Sequence, residues 1–259
     1  MSLKFKKEVW LLIAFSTLCT FGVSSVFPYI PIHGQEIGIP VTIIGQLVVL
    51  YYLLQSATRI PLGKLSDTIG HHKPVLLGSV FFIFSSLAFI FSSKIWFLLF
   101  AGEFFLGIAN SITWVTIPSY ITNIEKAVPL YTFSMGLGWL LGSPVGGRIK
   151  DSLGMTWVFL TLFFVSLGLF VLSILFYRYE TRKEEIGEAD QKFLNLSKFA
   201  PQGIQLYPSL RSYVDAWRLI KTNKPLLIAS SFSFLVFMTF GLGASILPLY
   251  FSKVGISSF

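Results

Sequence analysis

Seven stretches of this chain are long enough and apolar enough to cross a lipid bilayer, and together they cover most of its length. They span residues 9–32, 41–62, 75–92, 95–121, 130–147, 157–179 and 226–251. A spanning helix needs about 20 mostly apolar residues, because hydrocarbon tolerates only a backbone whose polar groups are satisfied within the segment. Composition agrees: 54% of the 259 residues are hydrophobic, 12% are charged, and Phe alone occurs 27 times. A soluble domain carries about 25% charged residues to cover its surface. The chain therefore reads as an all-α integral membrane protein. The first stretch is too long for the apolar core of a signal peptide and lacks a small-x-small cleavage site, so it is expected to be a retained helix. A single cysteine, Cys19, excludes an internal disulfide framework and is expected to pack within that helix.

Lysine and arginine set the orientation. With the N-terminus inside, 16 of the 20 basic residues fall on the inner side, among them Lys4, Lys6, Lys7, Arg178 and Arg182. The other 4 are Lys94, Arg148, Lys150 and Lys253. Loops rich in Lys and Arg stay in the cytoplasm, so the sequence predicts a multi-pass protein of the cell membrane with a cytoplasmic N-terminus. The net charge of +8 is then a topology signal and a headgroup-facing surface, with no nucleic-acid partner implied.

The most polar short stretch between two apolar runs is Gly63-Lys64-Leu65-Ser66-Asp67-Thr68-Ile69-Gly70-His71-His72-Lys73-Pro74. It reads as a loop in which the two glycines allow a tight turn between antiparallel helices. Asp67 is placed to accept from free amides at a helix start, and Lys73, His71 and His72 to face the headgroups. This stretch resembles motif A of the major facilitator superfamily, the Gly-x-Leu-x-Asp-x-x-Gly-basic-basic connection between transmembrane helices 2 and 3. The resemblance implies a fold of two six-helix halves that move substrate by alternating access, and a gating role for Gly63, Asp67, Gly70 and Lys73. His71 and His72 stand where the family has its basic pair.

On this reading residues 1–179 form the six-helix half. Residues 180–224 form a cytoplasmic linker, in which Tyr213, Trp217 and Ile220 recur at helical spacing in a short amphipathic segment. Residues 225–259 hold helix 7 and the start of a second half. Helix 7 repeats features of helix 1: Leu11-Leu12-Ile13-Ala14 returns as Leu226-Leu227-Ile228-Ala229, and Phe21-Gly22 as Phe240-Gly241. Such internal repeats are a mark of transporter halves. The family fold would need helices 8–12 beyond Phe259, so transport is expected only where the missing helices are supplied.

Glu103 is the acid within the apolar run of helix 4. Burying an ionised carboxylate in hydrocarbon costs about 2.5–3.5 kcal/mol on insertion scales, so such a group usually faces a polar interior. Glu103, Gly107, Asn110 and Trp114 follow at steps of four, three and four and share one helical face. Gln55 of helix 2 shares a face with Arg59 and joins them as a candidate. Glu103 fits two roles equally: a site for a proton or cationic substrate, or a structural hydrogen bonder between helices. Its segment aligns with motif B, Arg-x-x-Gln-Gly, but Glu103 replaces the arginine and Leu106 the glutamine. The embedded charge is reversed, and no role of that arginine carries over.

Helix 5 contains Gly138, Gly142 and Gly146 at i, i+4 and i+8, a smooth stripe that permits close backbone approach. With Pro144 and Gly147 it resembles motif C, found mainly in antiporters and exporters of the superfamily, although the proline stands one place late. Packing and export-type function are compatible readings of the same stripe. His33, His71 and His72 have no metal-ligand spacing, no Walker loop is present, and no serine turn has a plausible base, so neither an enzyme, a metal nor a cofactor is expected. The leading expectation is a secondary transporter of small molecules, resembling proton-coupled exporters. The alternative is a non-transporting membrane protein, or a subunit that pairs with a separate second half or with its own copy.

Overall fold

A computed structural model describes residues 7–122, 124, 127–194 and 222. The seventh apolar stretch and the amphipathic segment around Trp217 lie outside these residues. Within them the fold is helical throughout, in the order α1 (Lys7–Val26), a 3-10 turn (Phe27–Tyr29), α2 (Ile30–Glu36), α3 (Val41–Ile69), α4 (His72–Phe91), α5 (Leu98–Ile121), α6 (Ala127–Leu153) and α7 (Met155–Leu194). Among the described residues five helical spans are long and apolar enough to cross a membrane, the first being Lys7–Glu36. The helix α6, at 27 residues, has the length but less apolarity, since glycine and serine occupy much of it.

The first span changes character where its prolines sit. Pro28 removes a backbone donor, and the chain tightens to a 3-10 turn before Pro31 opens α2. Helix α1 lies inside the bundle, with its most extensive packing against α6 and further packing against α7 and α5. On the other side α5 packs between α3 and α4, and α4 packs against α7. Large apolar side chains such as Val49, Phe84, Phe104, Phe133, Leu140 and Phe164 remain exposed along these helices. In a bilayer these face lipid or a neighbouring protein surface, where in water they would form a sticky patch.

The connection between α3 and α4 is shorter than the expected twelve-residue loop. Helix α3 continues through Gly63 and Asp67 to Ile69, and only Gly70 and His71 separate it from α4. Residues 64–69 have no helix breaker, and the Thr68 hydroxyl donates back to the carbonyls of Lys64 and Leu65. Of the two glycines, only Gly70 makes the turn, at φ 85° and ψ 154°, a region closed to residues with a Cβ. Gly70→Ala is expected to lower the melting temperature of purified protein, at a cost of about 1–3 kcal/mol, while Gly63→Ala, which meets only the Val115 side chain, costs less.

Asp67 is exposed on the last turn of α3 and, among the described residues, bonds to no helix-start amide. Lys73 is exposed on the first turn of α4. His72 departs from the expectation. It is buried, with its ring 5.1 Å from that of Tyr177 on α7, while His71 sits 5.5 Å from Tyr120. The aromatic partners on α5 and α7 hold both imidazoles against the bundle. The last helix also runs beyond residue 179 into the charged stretch, whose Glu, Lys and Arg are good helix formers.

Candidate substrate and proton site

One face of α5 meets α3 at an unusually close crossing. Gly107 makes it possible: a Cβ there would stand 2.9 Å from the Tyr51 carbonyl oxygen and 3.2 Å from Leu54 Cβ. The crossing sets Tyr51 against Asn110, and the Asn110 side-chain amide donates to the Tyr51 hydroxyl at 2.6 Å. The thiol of Cys19, on α1, lies 4.0 Å from Asn110 Oδ1 and 3.7 Å from Thr113 Oγ1. Three helices therefore converge on Asn110. The Tyr51 ring is flanked by Phe27 at 4.8 Å and Tyr52 at 5.1 Å, which ties this junction to the 3-10 turn of the first span.

Glu103 stands two turns before Asn110 on the same face, with no exposed surface. Among the described residues neither of its carboxylate oxygens has a hydrogen-bond partner, and it lies within electrostatic range of Tyr51 and Tyr52. A buried carboxyl with no hydrogen-bond partner is costly. Gln55 is buried one turn along α3 from Tyr51, and its backbone carbonyl accepts from the Ser111 hydroxyl at 3.1 Å. Trp114 is partly buried against the core on the same stripe.

The sequence singled out Glu103, Asn110, Gln55 and Trp114 but missed Tyr51, Tyr52 and Phe27. The signal for Tyr51 was present, since it precedes Gln55 by four residues and so shares its face. Also missed was a second buried acid, Glu8, in the first turn of α1, which accepts from the Tyr179 hydroxyl. Tyr51→Phe is expected to destabilise the bundle by about 1–3 kcal/mol, because it strands the Asn110 amide in the interior. A thermal melt of Tyr51→Phe against Tyr51→Phe/Asn110→Leu checks this: the double variant should recover part of the loss.

The other motif residues lie elsewhere. Gly138, Gly142, Gly146 and Gly147 are buried, and the first three face the backbone of α1. Ser24 donates to the Gly138 carbonyl at 3.2 Å, and Tyr29 donates to the Ser143 carbonyl at 2.9 Å. Pro144 lies inside α6 on its exposed side. Gly63, Asp67, Gly70 and Lys73 gather at the α3–α4 turn, with Asp67 twelve residues beyond Gln55, about 18 Å along the helix at 1.5 Å per residue.

The family model for the Major Facilitator Superfamily matches residues 9–259, nearly the whole chain. The chain belongs to the major facilitator superfamily. It is a multi-pass membrane protein of a family of transporters rather than enzymes, and its motif A, with motif C-like glycines, fits drug/proton antiporter-type members. Among similar proteins is an uncharacterized MFS-type transporter of Methanocaldococcus jannaschii, 25% identical over 59% of this chain and 41% of its own length. The class H tetracycline resistance protein of Pasteurella multocida is 29% identical over 69% of this chain and 46% of its own. The chromaffin granule amine transporter of Rattus norvegicus is 31% identical over 48% and 25%. The alignments span less than half the length of each of these relatives.

Proposed function

We propose that this MFS protein is a secondary active exporter of small organic molecules, working by alternating access and coupled to protons. Glu103 is the residue that exchanges a proton for a cationic or hydrogen-bonding substrate. The observation that carries this reading is the pair of Glu103 oxygens, unpartnered among the described residues, at the aromatic and amide-lined crossing of α3 and α5. Tyr51, Tyr52 and Phe27 supply ring faces suited to an apolar cation. The relatives named for tetracycline resistance and for amine transport handle compounds of a compatible kind.

In this reading the described bundle is one wall of the translocation path. The opposite wall comes from a second helical half or a second copy, and the α3–α4 turn with Gly63, Asp67, Gly70 and Lys73 works as the inner gate against it. The N-terminus is cytoplasmic, in the cell membrane, in accord with the 16 to 4 distribution of the 20 basic residues. The test is transport of tetracycline, ethidium and serotonin into liposomes holding the full-length protein under an imposed pH gradient. Accumulation that collapses on adding a protonophore is expected. Accumulation of none of the three, or accumulation indifferent to the gradient, refutes the proposal.

A further inference from the structure

We infer that His33 is a second proton site, at the end of the bundle away from the N-terminus, and that its protonation tightens the clasp that Glu36 already makes with Lys150. His33 lies in α2 and is 3% exposed. Its Nε2 contacts the Ser92 hydroxyl at 3.1 Å and the Ser93 hydroxyl at 3.5 Å. Ser92 already donates its proton to the Phe89 carbonyl at 2.6 Å. With its proton on the Phe89 carbonyl, the Ser92 hydroxyl accepts from the imidazole, which favours the neutral tautomer with the hydrogen on Nε2 and the lone pair on Nδ1.

In that tautomer the bare Nδ1 faces Glu36 Oε2 at 3.9 Å, with two acceptors opposite each other and no hydrogen between them. Adding a proton to Nδ1 turns the pair into a charge-assisted hydrogen bond once the carboxylate closes the remaining gap. The other Glu36 oxygen is 3.4 Å from Lys150 Nζ on α6. Glu36 thus already ties the far end of the first span to α6, and protonation of His33 adds a second cation to the same carboxylate. Among the described residues the remaining neighbours are neutral: the turn after α4 contributes Ser92 and Ser93, and α7 contributes Phe159, edge-on with ring centroids 5.1 Å apart. Asp151, beside Lys150, acts on Tyr29 rather than on His33. The clasp draws on geometry remote from Glu103 and stands without the function proposed for that residue.

The test is nuclear magnetic resonance of the ring nitrogens in histidine-labelled, full-length protein in lipid nanodiscs, from about pH 5 to about pH 8. The chain has three histidines, so the signal lost in His33→Gln identifies the site. Expected is a neutral ring protonated on Nε2, which titrates in this range and whose midpoint is displaced by about one unit in Glu36→Gln. His71 and His72 should not respond to that substitution. A neutral ring protonated on Nδ1, a ring that never titrates, or a midpoint indifferent to Glu36→Gln overturns the inference. Glu103→Gln run in parallel keeps the two proposals separate: it should end proton-coupled transport and leave the His33 titration unmoved. If transport survives Glu103→Gln, only the Glu103 reading falls.

Discussion

Gly142→Ala should destabilise the protein by about 3 kcal/mol, enough to cut the folded yield sharply, although it adds one methyl group. The new Cβ would collide with the Ser24 hydroxyl and the Phe21 carbonyl oxygen of α1, and would lie 3.1 Å from the Ser25 amide nitrogen. Two of these three neighbours are backbone atoms, so relief requires α1 and α6 to move apart. That crossing is the most extensive helix pair in the bundle, and lipid offers no hydrophobic force to restore it. Gly136 provides the contrast. It lies in the same helix, but a Cβ there meets nothing within 4 Å. Gly136→Ala should be neutral or stabilise by up to about 1 kcal/mol through helix propensity. Monodisperse yield and melting temperature of the two variants, side by side, check the claim. Equal behaviour would mean that the glycine stripe does not hold α1 against α6.

Glu103→Leu is expected to act in opposite directions on stability and function. Among the described residues the carboxyl makes no hydrogen bond, and it is fully buried, so replacing it with an apolar side chain removes a desolvation penalty. A gain of about 1–3 kcal/mol, seen as a higher melting temperature, follows from the usual cost of an unsatisfied buried polar group. Proton-coupled transport should vanish in the same variant, and in Glu103→Gln, which keeps the shape but cannot exchange a proton. Loss of function combined with a gain of stability is what a site retained for chemistry predicts. Were Glu103 a structural hydrogen bonder, both substitutions would lower the melting temperature.

The helical spans were legible because each must satisfy its own backbone within about 20 apolar residues, a local constraint. Their ends were not. The loop expected from Gly63 to Pro74 contracts to Gly70 and His71, since Asp67 and Lys64 are polar without being helix breakers. The charged stretch after residue 179 likewise continues α7. Side chains that matter alone could be read: Glu103 is conspicuous because an acid in an apolar run is expensive wherever it points. Partners across helices could not, because Tyr51 and Asn110 are 59 residues apart and meet only through the close approach at Gly107. The same holds for His72, whose burial depends on Tyr177 of another helix. The glycine stripe of α6 announced close packing, but not that α1 was its partner.

The central claim is that Glu103 gives up a proton when substrate binds. The direct measurement is proton release from purified full-length protein in weakly buffered solution, on adding whichever of tetracycline, ethidium or serotonin the liposome assay shows to be moved. Wild-type protein should acidify the solution in proportion to the compound bound, and Glu103→Gln should bind without releasing protons. Equal release from the two proteins would contradict the account.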